Sequence, residues 1–290
     1  MPRDLDHLVL CVRDLEAAQR RFRSFGFTVT PPADHPFGTR NRLVLMADNF
    51  IELLTVADFA AIPPAGPGGF SFGAHNRSFL ADGEGISMLA FKGSDARADA
   101  RRFVARGLGD YAPLDFSRNA TLPDGTSVRV AFSLAFATDA GLPQLAFFTC
   151  QHHQPRALLW QPDYQRHANG ASRVVETVLA TLDPAAHRRF FEQLTESEAD
   201  AADGMLSIGP PDKRITLLRP DRLAERFPEF AADNGAPRFA AYRVAVADLR
   251  AVERQLRDGA IRYRSNADAI VIAPTCAFGV AVEFTGHAGA

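Results

Sequence analysis

Short apolar runs alternate with amphipathic segments along the chain. The first run, residues 5–12 (LDHLVLCV), has the length and composition of a buried strand. In the segment that follows, the apolar side chains fall on one helical face: Leu15, Ala18, Phe22 and Phe25. Asp14 is a good N-cap for this helix, and Gly26 suits the position just beyond its C-terminal end. Three strand-like runs follow, so the pattern predicts a strand, a helix and three strands.

The same opening recurs three more times. Each copy has an apolar run, a capping residue and an amphipathic helix, with caps predicted at Ser94, Asp183 and Asp248. Pro184 at the first helical position strengthens the third helix start. Strand-like runs come after every helix. The sequence therefore predicts an α+β fold of four βαβββ modules, which form two similar halves with concave mixed sheets.

Two irregular stretches interrupt the modules. Residues 152–172 (HHQPRALLWQPDYQRHANGAS) contain prolines, glycine and the only tryptophan, so residues 156–167 are interpreted as a link between a first half, residues 1–155, and a second half, residues 168–290. Residues 60–79 (AAIPPAGPGGFSFGAHNRSF) join the first two modules. Their proline and glycine content predicts an exposed loop or a lid.

Composition excludes several classes of function. The net charge of −2 and the pI near 6.4 give no sign of a nucleic-acid or membrane-surface partner. The sequence has no apolar stretch of about 20 residues, and MPRDLD at its start lacks a hydrophobic signal core. Three widely spaced cysteines are expected to be buried free thiols: Cys11, Cys150 and Cys276. A cytoplasmic protein is expected.

One motif suggests a hydrolase. GFSFG, residues 69–73, satisfies the G-x-S-x-G pattern of a nucleophile elbow. That elbow needs a buried strand before the serine and a helix after it. Here PPAGPG precedes Ser71 and the polar AHNRS follows, which argues against a serine nucleophile.

Two polar residues stand out within apolar strands. Alternation puts the aliphatic side chains of residues 8, 10 and 12 on one strand face and His7 on the other, toward the concave surface. Glu52 is the only charged residue in NFIELLTV. A buried carboxylate is costly without a partner, so Glu52 is expected to serve in a cavity. His7 is either a metal ligand or cavity residue, or a core histidine bonded to backbone.

The arrangement and its motifs resemble the vicinal oxygen chelate superfamily, which includes glyoxalase I, extradiol dioxygenases and bleomycin-resistance proteins. Three segments carry the resemblance, in particular to its glyoxalase-like domain group: LDHLVLCVRDLEAA, HPFGTRNRLVLMADNFIELLTV and FFTCQHHQPRALLWQPDYQRHANGA. In that superfamily, metal ligands come from the start of a module's first strand and from its last strand. The resemblance thus implies a divalent ion (Zn, Ni, Fe or Mn) held by His7 and Glu52, with His152 as a third ligand.

Further candidates surround this predicted site. Substrate-binding roles are expected for six residues: His35, Thr39, Asn41, Gln151, Trp160 and His167. For the first three, turn or strand-start hydrogen bonding is the alternative, and for Trp160 and His167 a structural staple between the halves is the alternative. In the first module, His7 lies seven residues before the helix cap Asp14. The corresponding positions before the other three caps hold Ser87, Glu176 and Ala241. Glu176 and Glu283 are therefore candidates for a second site in the second half, or else edge or interface carboxylates.

The resemblance implies a glyoxalase-like small-molecule enzyme. A metal ion would polarise vicinal oxygens of the substrate, and Glu52 would move the proton, which is lyase or isomerase chemistry. The alternative is a metal-free binding protein of the resistance type that sequesters a small compound in a phenylalanine-lined cavity. An extradiol dioxygenase is less favoured, because two histidines and one carboxylate are not visible as a set. A homodimer is possible, although the internal duplication could make one chain sufficient.

Overall fold

Two eight-stranded mixed sheets form the framework of the chain in a computed structural model that describes residues 2–230 and 235–286. The first sheet contains β1 (Leu5–Cys11), β2 (Ala33–Asp34), β3 (Thr39–Leu45), β4 (Phe50–Val56), β5 (Gly85–Gly93), β6 (Leu114–Thr121), β7 (Ser127–Ala137) and β8 (Ala146–His152). Its order is β2-β3-β4-β1-β5-β8-β7-β6. The helices of this half are α1 (Leu15–Ser24), α2 (Phe72–Asp82) and α3 (Ala96–Arg106), and a short α4 (Arg156–Leu159) follows the sheet.

The second sheet repeats the first. It contains β9 (Ala171–Ala180), β10 (Ala199–Ala202), β11 (Met205–Ile208), β12 (Arg214–Leu218), β13 (Arg238–Val246), β14 (Arg264–Ser265), β15 (Ala269–Ile272) and β16 (Ala281–Gly286). Its order is β10-β11-β12-β9-β13-β16-β15-β14, the same topology. The helices are α5 (Arg188–Thr195), α6 (Pro220–Arg226) and α7 (Leu249–Asp258). The predicted α+β fold of two similar halves is confirmed.

Aspartate side chains start the module helices. Asp14 and Asp248 accept hydrogen bonds from backbone amides of the first turn, as the sequence predicts, and Asp183 does the same for the short 3-10 helix Pro184–His187 that leads into α5. In the second module the cap is Asp95, which accepts from the Ala98 amide, and the predicted cap Ser94 lies one residue outside. The position seven residues before the cap is therefore Met88, not Ser87.

The segment predicted as a loop over residues 60–79 becomes helical in its last part. Helix α2 begins after Ser71, whose side-chain oxygen accepts from the Ala74 amide at 3.3 Å and whose hydroxyl donates to the Pro63 carbonyl at 3.2 Å. Periodicity missed this helix because its polar Asn76 is fully buried, where the Nδ2 donates to the Phe72 carbonyl. Ser71 caps a helix, and no strand leads into it.

One hydrophobic core runs through both halves. It contains buried residues of α1, α3, α5 and α7 together with one face of each sheet. Phe147 of β8, for example, has its ring 5.1 Å from that of Phe190 and 5.3 Å from that of Phe191 in α5. The helices thus lie between the sheets, and the opposite face of each sheet forms a cup with its own apolar cluster.

The first sheet curls around its cup. The edge strands β2 and β6 are the two ends of the strand order, yet they are in contact with each other. This closure leaves a cavity on the concave face, next to the start of β1. None of the helices among the described residues is long and apolar enough to cross a bilayer.

Candidate active site

The cavity on the concave face of the first sheet is small and mostly aromatic. Its free volume of about 30 Å³ has room for one or two water molecules. Five polar side chains enter it: His7, His35, Asn41, Glu52 and Arg118. Phenylalanines supply most of the remaining wall: Phe37, Phe50, Phe72, Phe116, Phe132 and Phe148.

A bulge in β1 positions His7. The pairing with β5 shifts between Leu5 and His7, so Asp6 is an extra residue in the ladder. Asp6 and His7 are both buried, and Nδ1 of His7 lies 2.7 Å from Oδ2 of Asp6. Since a carboxylate only accepts hydrogen bonds, Nδ1 carries the proton. In the neutral imidazole the lone pair is then on Nε2, which lies 3.6 Å from Oε2 of Glu52.

A second histidine faces the same carboxylate. Nε2 of His35 is 3.8 Å from Oε1 of Glu52, and Nδ1 of His35 is 2.8 Å from Oγ1 of Thr39. Asn41 donates to Oε1 of Glu52 at 2.6 Å and lies 3.3 Å from Nε2 of His35. Burial lowers the pKa of His35 well below its usual range, and the charges of Arg118 and His7 act in the same direction. Two imidazoles and one carboxylate therefore converge, with His35 neutral.

Behind His7 lies a second group of potential ligands. Oδ2 of Asp6 is also 3.1 Å from Nε2 of His152, whose Nε2 is 3.6 Å from Sγ of Cys150. Ligand atoms of Asp6, Cys150 and His152 are close enough to hold one metal ion. Burial by itself raises the pKa of Asp6, but hydrogen bonds and charges from His152 and His7 hold it well below its usual range. Burial raises the pKa of the Cys150 thiol, as do the charges of Asp6 and Glu52.

The Asp6 carboxylate thus already serves two imidazoles, and the thiol beside it is neutral. This arrangement suits the orientation of His7 better than the binding of an ion. It also links His152 to His7 through Asp6 and does not bring His152 to Glu52.

Four of the six predicted substrate-binding residues do not line the cavity, and two of these four, Gln151 and Thr39, belong to the first sheet. Oε1 of Gln151 accepts from the Ala96 amide at 3.0 Å, so Gln151 caps α3 on the helical side of the sheet. Thr39 is buried and touches the cavity only through its hydrogen bond to His35. His153 is exposed, as alternation along β8 predicts.

The remaining two, Trp160 and His167, lie in the link and form hydrogen bonds to backbone carbonyls of the first half. Nε2 of His167 lies 2.9 Å from the Leu45 carbonyl, and its Nδ1 accepts from the Thr28 amide at 3.0 Å, which is a staple onto the first sheet. Trp160 donates from Nε1 to the Met46 carbonyl at 3.1 Å. The Trp160 ring lies 5.7 Å from that of Phe50 and 5.4 Å from that of His152, so it backs the site without lining the cavity.

Comparison with known proteins places the chain in a family. The family model described as a glyoxalase-like domain matches residues 5–195. The chain belongs to this family. No curated protein sequence matches it.

Solved structures show the same glyoxalase-like fold at low sequence identity. A hypothetical protein from Staphylococcus aureus superposes with a TM-score of 0.71 at 12% identity, over 97% of this chain and 98% of that one. A mutant of 4-hydroxymandelate synthase from Streptomyces coelicolor gives 0.59 at 14% identity, over 100% and 94%. A fusion of a xylose isomerase-like TIM barrel with 4-hydroxyphenylpyruvate dioxygenase gives 0.55 at 12% identity, over 100% of this chain and 49% of that one.

In the second half of this glyoxalase-like chain, arginines neutralise the two candidate carboxylates. Arg226 donates to Glu176 at 2.6 and 2.9 Å and to Glu283 at 2.7 Å, and Arg243 donates to Glu283 at 2.9 Å. Burial alone raises the pKa of Glu176, but the bonds from Arg226 and Thr216 lower it overall. These acids form an internal ion network, and no histidine of the described residues joins it.

The second cup is also filled. Leu223 of α6, with Phe227 and Phe230 just after it, packs on the concave face against apolar residues of β9, β12, β13, β15 and β16. In the first cup, α2 contacts Cys11 through Asn76 and adds Phe72 to the wall, but a cavity remains at the end near His7. The structure therefore offers an open site in the first half alone, within the described residues.

Two residues of the first-half site were not identified from the sequence: Asp6 and Arg118. Alternation puts Asp6 on the opposite strand face from His7, and only the bulge in β1 brings both together. Arg118 lies two positions after Phe116 in β6, and residues two apart in a strand lie on the same face of the sheet. That face becomes a cavity wall only because β6 closes onto β2.

Proposed function

We propose that this chain is a glyoxalase-like small-molecule enzyme whose active site is the first-half cavity, with a divalent metal ion held by His7, His35 and Glu52. The observation that carries the proposal is the approach of both Nε2 atoms to the Glu52 oxygens, at 3.6 and 3.8 Å. Neither distance is a hydrogen bond, and a small shift of these side chains would place all three donors around one ion. Zn, Ni, Fe or Mn suits such nitrogen and oxygen ligands.

The surroundings of the two histidines fit a metal site. A ligating histidine usually donates its other ring nitrogen to a fixed acceptor, which sets the tautomer and the ring orientation. Asp6 serves His7 in this way, and Thr39 serves His35. His152 takes part through Asp6 and is not assigned as a ligand.

The residues of the cavity support a proton-transfer reaction. A bound ion would act as a Lewis acid on the vicinal oxygens of the substrate. Glu52 would take a proton from the carbon beside them and return it to the neighbouring atom, which gives isomerase or lyase chemistry. Asn41 fixes Oε1 of Glu52 and leaves Oε2 to move the proton. The phenylalanine walls keep bulk water from the reacting atoms.

Dioxygenase chemistry is the second candidate, because His35 supplies a second histidine beside His7 and Glu52. Two histidines and one carboxylate with open positions are the donor set of non-haem ferrous oxygenases. Iron as the resident ion, together with oxygen consumption in the presence of catechols, would favour this reaction over proton transfer. Metal-free ligand binding is the remaining alternative.

The test is the metal content of protein purified without chelator or a metal-binding tag. We expect about one equivalent of a transition metal in the wild type and its loss in His7→Ala and Glu52→Gln, since a site with three protein ligands does not survive the removal of one. His153→Ala is the matched control, because this exposed histidine lies outside the cavity and should leave the metal in place.

Less than about a tenth of an equivalent, even after incubation with Zn²⁺, Ni²⁺, Fe²⁺ or Mn²⁺, would contradict the metalloenzyme proposal. The metal-free binding protein would then be the function to test. A positive result would justify assays with hemithioacetals for proton transfer and with catechols for dioxygenation.

A further inference from the structure

The wall of the first-half cavity contains a buried arginine whose donors are mostly unused. Arg118 is only 7% exposed. Its Nη1 makes one long hydrogen bond of 3.3 Å to the carbonyl of Asn119, and its Nε has no partner among the described residues. A guanidinium carries five N–H donors. Arg118 also borders a second small cavity beside Tyr164, so it lies between two internal spaces.

Other poorly exposed arginines of the chain have carboxylate partners. Arg42 is also 7% exposed and its Nε likewise has no described partner, but it donates to Glu16 at 2.6 Å and to the Thr30 carbonyl at 3.1 Å. In the second cup, Arg226 is held by two carboxylates. Buried cations are normally paired, because removing a charge from water without compensation is costly. Arg118 departs from this rule at the one cup that holds an open cavity among the described residues.

No neighbouring group among the described residues pairs with the charge of Arg118. Glu52 is the acid that interacts with its charge, but the Glu52 oxygens face Asn41 and two histidines, and no described carboxylate forms an ion pair with Arg118. The guanidinium carbon lies 5.7 Å from the centre of the Phe132 ring, near the outer limit of about 6 Å for a cation–π contact.

We propose that Arg118 binds an anionic group of the ligand, so that the cavity takes a small carboxylate, an oxoacid in preference to a neutral dicarbonyl compound. This deepens the proposed function and rests on it, since the oxygens next to the carboxylate would lie at the His7–Glu52 cluster. Within one cavity, Arg118 attracts the ligand anion and Glu52 repels it. The two charges thereby fix the direction in which the ligand enters, with its apolar body against the phenylalanines. The phenylalanine rings must move apart to admit it, because the free volume of about 30 Å³ holds only one or two water molecules.

The test compares two ligands of the same shape. Phenylglyoxylate carries the carboxylate, and 1-phenyl-1,2-propanedione replaces it with an acetyl group while keeping two vicinal oxygens. Binding to the full chain is followed by the fluorescence of Trp160, which contacts the cavity residue Phe50. We expect wild type to prefer phenylglyoxylate by about 10-fold or more, as for a charge-assisted hydrogen bond. Arg118→Met should abolish the preference, and Arg118→Lys should keep part of it.

Equal affinity of the wild type for both ligands would overturn the proposal, and so would a preference that survives in Arg118→Met. Acetate is titrated in parallel as a smaller anion. If neither acetate nor phenylglyoxylate changes the fluorescence or raises the melting temperature at about 50 mM, Arg118 is not an anion site.

Stability separates a binding role from a structural one. Arg118→Met should melt at the wild-type temperature or above it, because an unpaired buried charge is replaced by an apolar side chain. Arg42→Met is the matched control and should melt lower. An equal loss in both variants would show that Arg118 has a structural partner and would overturn the proposal.

The binding comparison is repeated after chelator treatment. If the preference for phenylglyoxylate disappears, a metal ion holds the carboxylate, and the anion site fails while the proposed metalloenzyme stands. If the preference persists in protein that never takes up metal, the anion site stands while the proposed metal chemistry fails.

Discussion

Asp6 and His152 are 146 positions apart, yet Oδ2 of Asp6 lies 3.1 Å from Nε2 of His152. The same oxygen lies 2.7 Å from Nδ1 of His7. One carboxylate thus joins the start of the first strand to the end of the eighth. Because it accepts from both imidazoles, it fixes which nitrogen of His7 faces the cavity.

Asp6→Asn should weaken metal binding, although the three metal-ligating side chains His7, His35 and Glu52 remain. The amide keeps the shape of the carboxylate but loses the charge that orients and polarises His7. We expect a loss of about 10- to 100-fold in metal affinity, as for other partners of ligating histidines. Competition with a chromophoric chelator measures it. An affinity equal to that of the wild type would show that Asp6 does not act on the ion.

Cys150→Ser distinguishes the two possible donor groups. If His7, His35 and Glu52 hold the ion, the variant should retain it, and cobalt-substituted wild type should lack a thiolate-to-metal absorption band. Ligation by Asp6, Cys150 and His152 would give that band in the wild type and its loss in the variant. The absorption spectrum of the Co²⁺ protein therefore decides between the groups.

Acid should destabilise the protein through His75. Burial lowers the pKa of His75 to about 4, although a hydrogen bond that the imidazole donates to the Ser87 backbone opposes this. The unfolded chain binds the proton near pH 6.5, so between these values it holds more protons than the folded chain. Stability is then full above pH 6.5 and falls toward pH 4, with a contribution from His75 of at most about 3 kcal/mol.

Urea unfolding at pH 7 and pH 5 tests this prediction. His75→Met should reduce the difference between the two free energies of unfolding, while His153→Gln, in the exposed position, should leave the difference unchanged. Equal differences in wild type and His75→Met would contradict the assignment.

Arg226→Met should destabilise the second half and leave the site intact. The substitution removes the cation that Glu176 and Glu283 share. Breaking a buried ion pair lowers the free energy of unfolding by about 3 kcal/mol or more. Chemical denaturation measures the loss. Metal content should stay at the wild-type level, and its loss would indicate a role of the second cup in the site.

The modules were predictable because their signals are local. Asp14 and Asp248 cap helices within one turn, and the apolar spacing of each helix lies inside a dozen residues. Non-local packing decides the rest. The bulge at Asp6 depends on the β5 register, and Arg118 meets the cavity only through closure of the sheet edges. The sequence predicts His35 as a substrate-binding residue, but its approach to Glu52 arises from the pairing of β3 with β4.

The core that crosses between the halves makes the packing of each half depend on the other. Phe147 of the first half packs on Phe190 and Phe191 of the second, so each duplicated unit covers the apolar back of the other. Removal of the second half would expose that surface to water, so the second half contributes to the packing of the first even though its own cup is filled.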